Sequence, residues 1–178
     1  MIKAIVKAFV ALNSNVKKEQ IAAGFAWGLL LALIPTGNLI WFTLFVFAFF
    51  TKINYGMQLL VMVLFKLILP LAAKPLDKLG WYILNQDSLY PYFSYLYNIP
   101  IAPLTRFNNT LVAGGLVLGL ILWIPLFFIV RALVSVYRSK LAPKIAETAI
   151  YKAFMKIPLV KGIAKAISSA NNVAGALK

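Results

Sequence analysis

The sequence predicts an all-α integral membrane protein: broken or re-entrant helical hairpins plus one full transmembrane helix, with amphipathic interfacial helices at both ends. Three observations predict it. The chain is 62% hydrophobic and only 12% charged, against about 25% charged in soluble domains. The run from Ile21 to Thr51 is apolar and uncharged, and it is interrupted once, at Pro35-Thr36-Gly37-Asn38. Both ends are basic, with Lys3, Lys7, Lys17 and Lys18 at one and nine of the eighteen Lys and Arg residues at or after Arg131.

The same composition narrows the chemistry. There are no cysteines and no histidines, which excludes disulfides, thiolate chemistry, His-based metal sites and His acid–base catalysis. The four acids, Glu19, Asp77, Asp87 and Glu147, are widely separated, so no metal site, no cofactor and no catalytic residue is predicted. A net charge of +14 fits an anionic membrane surface or nucleic acid. The apolar content decides for the membrane, and no nucleic acid partner is expected.

Residues 1–20 read as a cytoplasmic interfacial helix, with Ile2, Ile5, Val6, Phe9 and Val10 on one face and Lys3 and Lys7 on the edge of the other. No cleavable signal peptide is read here, because the first long apolar run follows Lys17-Lys18 and lacks a small-residue cleavage pattern.

Residues 21–80 read as a membrane domain with two broken hydrophobic segments. Each half of the first, Ile21–Ile34 and Leu39–Thr51, is shorter than the roughly 20 helical residues that cross a bilayer. Gly24 and Gly28 give a small-xxx-small face for close helix packing. The second segment, Met57 to Ala73, carries Lys66 near its middle and Pro70 just after. A charge at that depth costs about 2.5–3.5 kcal/mol on insertion scales. Lys66 must therefore snorkel, face a wet cavity, or find an acceptor such as a carbonyl freed at a break. Asp77 is three helical turns away, too far for a direct pair.

Residues 81–109 read as an outer interfacial loop with short helical pieces. Five of the eight tyrosines lie between Tyr82 and Tyr97, and such aromatics collect at headgroup depth. A ligand-stacking surface is the sharper alternative for this stretch. Residues 110–130 are the clearest span, with Gly115 and Gly119 as a second packing face and Pro125 predicting a kink. Residues 131–178 form a basic amphipathic cytoplasmic tail in which Arg131, Arg138, Lys140, Lys144, Lys152, Lys156, Lys161 and Lys165 are expected to contact anionic inner-leaflet lipids.

The positive-inside rule puts both termini in the cytoplasm, which requires an even number of crossings. Two arrangements satisfy it. Either Ile21–Thr51 is a re-entrant hairpin that returns Lys52 to the inside, or it is one kinked span and Met57–Lys78 dips back from outside. The hairpin explains Lys52 and the turn at Pro35, and is preferred.

The motifs Ala22-Ala23-Gly24-Phe25-Ala26-Trp27-Gly28, Pro35-Thr36-Gly37 and Lys52-Ile53-Asn54 resemble a family of small, uncharacterised bacterial membrane proteins over about residues 20 to 80. The chain departs from that pattern at Lys52, where Arg is usual, and at Leu69-Pro70-Leu71, where Asn-Pro-x-Thr is expected. The resemblance implies a location in the bacterial cytoplasmic (inner) membrane and paired broken hairpins, and no activity.

The function expected from these features is that of a non-enzymatic membrane component, a subunit or scaffold of an envelope or lipid-handling assembly. Its partners would be the bilayer and either another membrane or envelope protein or further copies of itself. The alternative is a small oligomeric transporter or channel with a polar site at the breaks, formed by Pro35, Thr36, Gly37, Asn38, Lys66 and Pro70. A lipid-modifying enzyme would have to work with Asp77, Asp87, Lys or Tyr alone, and is poorly supplied.

Overall fold

Asparagine starts three of the helices. In the computed structural model, which describes residues 16–148 together with 158, 160 and 162, the Oδ1 atoms of Asn38, Asn54 and Asn109 accept the amides of Trp41, Met57 and Val112 at 2.8, 2.8 and 3.1 Å. Each thereby satisfies one of the donors that a helix start leaves unpaired. The elements are α1 (Lys18–Leu33), α2 (Leu39–Phe49), α3 (Tyr55–Leu84), α4 (Tyr90–Tyr97), a 3₁₀ turn (Ala102–Thr105), α5 (Thr110–Val136), a π turn (Tyr137–Leu141) and α6 (Ala142–Glu147). Every regular element among the described residues is helical. Two of them, α3 and the continuous stretch that α5 opens, are long and apolar enough to cross a membrane.

The break between α1 and α2 has a local cause. Pro35 disfavours helical geometry in the residue before it, and Ile34 is extended at φ −88°, ψ 126°. Gly37 then takes the left-handed region at φ +85°, and Asn38 caps the next helix. The second break expected near Pro70 does not occur. α3 runs for 30 residues through both Pro70 and Pro75, and α5 likewise passes through Pro125. A lone proline costs the helix one hydrogen bond. Without a left-handed residue and a new cap behind it, the chain has no other path and the helix continues. α5 also extends six residues past the expected end at Val130, to Val136. Of the interfacial helix expected at residues 1–20, residues 1–15 lie outside the described residues, as do Lys152, Lys156, Lys161 and Lys165.

α1 is the centre of a three-helix bundle with α3 and α5, and eleven of its sixteen residues are buried. Its approach to both neighbours runs over glycines. A Cβ on Gly24 would stand 2.5 Å from the Asn54 carbonyl oxygen, and one on Gly28 would stand 2.6 Å from that of Gln58. On α5, a Cβ on Gly115 would collide with the Leu33 carbonyl, and one on Gly119 with the Leu30 side chain. These contacts fix the register. α3 runs parallel to α1, and α5 runs antiparallel to both. Gly80 and Gly114 form a further close crossing between α3 and α5 beyond the end of α1, where each would strike the other helix's backbone. There the Thr110 hydroxyl donates to the Asp77 carboxylate.

α2 folds back alongside α1, so that the Asn54 amide donates to the Gln20 carbonyl at 2.9 Å. The chain thus returns to the level at which α1 began. At about 1.5 Å per residue, α1 spans only about half the length of α3, and the turn at Pro35–Asn38 lies partway along the long helices.

Gly114→Ala should lower stability by about 1–3 kcal/mol, because two backbones rather than a flexible side chain block the added methyl. Denaturant titration in detergent micelles measures this, and an unchanged midpoint contradicts the packing described.

Candidate functional site

A helix leaves its last four carbonyls without intrahelical donors, and α1 ends inside an apolar bundle. Two side chains from elsewhere in the chain supply donors there. The Trp41 Nε1–H donates to the Leu31 carbonyl at 2.9 Å. The Lys66 ammonium donates to the Ile34 carbonyl at 2.8 Å, and its nitrogen stands 6.0 Å from the Trp41 ring centroid, at the outer limit of cation–π attraction. A cation at the end of α1 also meets the negative pole of that helix's dipole. The cost of packing the Lys66 ammonium among apolar helices is therefore offset by a carbonyl and a dipole.

Asn38 closes the other side of the turn. Besides capping α2 it donates through Nδ2 to the Pro35 carbonyl at 2.6 Å, and it is only 3% exposed. Of the six residues expected at a polar break site, the structure joins Pro35, Asn38 and Lys66 into this network. Thr36 and Gly37 are exposed on the turn, and Pro70 is exposed one helical turn beyond Lys66. Trp41 and the accepting carbonyls of Leu31 and Ile34 were not singled out from sequence. The available signal was a tryptophan three residues after a capping asparagine, since a buried indole N–H needs an acceptor.

The far end of the bundle gathers charge. Arg131 Nε lies 3.0 Å from Glu19 Oε1, tying the end of α5 to the first turn of α1. The return of the chain to Gln20 brings exposed Lys52 to the same end of the bundle as Lys17 and Lys18. Arg138 is half-buried, and Lys140 and Lys144 are exposed. Among the described residues no group of His, Cys, Asp or Glu is placed to hold a metal ion.

The fold and these sites define a helical protein with two membrane-length apolar helices, a short hairpin packed against them and an internally hydrogen-bonded turn. The chain belongs to the DUF2062 family, described as an uncharacterised protein conserved in bacteria, whose family model matches residues 2–142. An uncharacterised protein of Treponema pallidum (strain Nichols) is 38% identical over 161 residues, covering 90% of this chain and 99% of that protein. No solved structure matches.

Two outcomes follow from this geometry. Asn38→Ala removes a cap and leaves the half-buried Pro35 carbonyl short of a donor, so it should cost about 2–3 kcal/mol. Asn109→Ala, at an exposed cap, should cost only about 1 kcal/mol. Equal losses in denaturant titrations contradict the role given to Asn38. The Glu19 carboxyl is held below its ordinary range, first by a backbone N–H and then by the Arg131 guanidinium. Since the folded value lies below the unfolded one, its contribution is complete above the unfolded carboxylate range and is lost as pH falls through the folded value. Glu19→Gln should therefore flatten the stability profile on the acid side of neutrality, and an unaltered profile contradicts the pairing.

Proposed function

We propose that this chain is a non-enzymatic integral component of the bacterial cytoplasmic membrane, acting as a subunit or scaffold of an envelope or lipid-handling assembly. In this reading α3 and α5 cross the bilayer, α1 and α2 form a re-entrant hairpin between them and lipid, and both termini are cytoplasmic. Support comes from the outward faces. Phe42, Phe50, Leu67, Leu71, Ile121 and Phe128 are each more than half exposed, an apolar girdle that a soluble monomer does not tolerate at this extent. Only 11% of the apolar window of either long helix is buried, unlike a core helix of a soluble domain.

The observation that carries the scaffold reading over a transporter is the consumption of the polar groups at the break. The Lys66 ammonium donates to the carbonyl end of α1, whose dipole offsets part of its charge. The Asn38 amide and the Trp41 indole are both spent on backbone acceptors. A transport site for an anion would need such donors held open toward a pathway. Here they seal a turn. The cytoplasmic charges, Arg131, Arg138, Lys140 and Lys144 among them, would hold anionic lipid at about 1 kcal/mol per basic residue near the surface.

The chain has no native cysteine, so single cysteines report topology directly. Membrane-impermeant maleimide applied from outside to right-side-out vesicles should label cysteine at Lys74 or Asn98 and leave one at Lys52 unlabelled until the membrane is opened. Outside labelling at Lys52 would contradict the re-entrant hairpin. Inside-only labelling at Asn98 would contradict the orientation of the whole bundle.

A further inference from the structure

At the end of the bundle away from the Glu19–Arg131 pair, the end of α3, α4 and the segment before α5 line an open cleft of about 390 Å³. We propose that this cleft binds an uncharged sugar. The volume falls in the range of about 300–1,000 Å³ typical of small-molecule sites. None of its lining side chains is ionisable at neutral pH, although the chain as a whole carries a net charge of +14. A phosphate or carboxylate would find no cation there, and an ammonium group would find no carboxylate.

The lining alternates flat aromatic faces with neutral hydrogen-bonding groups. Phe93 and Phe107 lie nearly parallel, with ring centroids 6.1 Å apart and planes inclined by 28°. Tyr90 and Tyr97 bring hydroxyls, Ser94 brings another, and Asn108 brings an amide. None of these four makes a side-chain hydrogen bond among the described residues. Asn98 alone is committed, donating from Nδ2 to the Ser94 carbonyl at 2.8 Å, which holds its Oδ1 as a fixed acceptor. An acyl chain would cover these polar groups without pairing them, at a cost in desolvation. A sugar ring matches both kinds of lining: its C–H face packs on an aromatic ring, whose face carries negative charge density, and its hydroxyls both donate and accept. This inference does not depend on the membrane orientation proposed above.

The test is a titration of the full chain in lipid nanodiscs with N,N′-diacetylchitobiose and with maltose, followed by saturation-transfer NMR. Saturable binding of at least one of them is expected. Tyr97→Phe and Asn108→Ala each remove one hydrogen bond and should weaken it by about fivefold, with unchanged helical circular dichroism. Both side chains are exposed, and Ser94→Ala serves as a third variant should either fail to fold. Glycerol 3-phosphate, as a headgroup mimic, should not compete. Three results would overturn the proposal: neither sugar saturates, all the folded variants bind as tightly as the parent, or glycerol 3-phosphate displaces the sugar.

Discussion

The carbonyls that α1 presents at Leu31 and Ile34 set the constraint on which the rest of the structure depends. In an apolar environment an unpaired backbone carbonyl costs as much as a lost hydrogen bond, and a helix that stops partway through a bundle exposes several. The chain answers with two donors from distant positions. Trp41 is ten residues on and reaches back across the turn. Lys66 is 32 residues beyond Ile34 and comes from a different helix. Neither reaches its acceptor unless α2 folds back and α3 runs alongside α1 in one register. The turn thus ties local geometry to the global fold.

Glycine supplies that register. Gly24 and Gly28 let α3 approach α1 until backbone meets backbone, Gly115 does the same for α5, and Gly119 makes room for the Leu30 side chain. In the membrane setting proposed above, lipid tails are as apolar as leucine, so helix association would rest on packing and hydrogen bonding rather than on removing apolar surface from water. The crossing at Gly80 and Gly114 extends the same device beyond the end of α1, between α3 and α5.

Much of this was legible in the sequence because its signals are local. Pro35, Gly37 and Asn38 each dictate a backbone conformation within a residue or two, so the break and the helix that follows can be read directly. Pro70 carries the first of those signals without the others, and reading it as a second break overstated what proline does alone. Lys66 posed a question with three answers, and the structure takes the third, a carbonyl freed at a break. Which carbonyl was not legible, because its identity depends on a helix-to-helix register set by contacts of Gly24 and Gly28 with residues 30 positions further along the chain. Gly80 and Gly114 were not legible for the same reason: neither has a second glycine one turn away on its own helix, and their complementarity exists only across the crossing.

The central claim, that the turn at Pro35–Asn38 is sealed by internal hydrogen bonds, is tested most directly by solvent exchange of the Trp41 indole N–H in the intact protein in nanodiscs, followed by ¹⁵N NMR. The account predicts strong protection of that proton, comparable to amides in the middle of α1. Exchange at the rate of a free indole would mean that water reaches the end of α1, and that the break lines an open cavity.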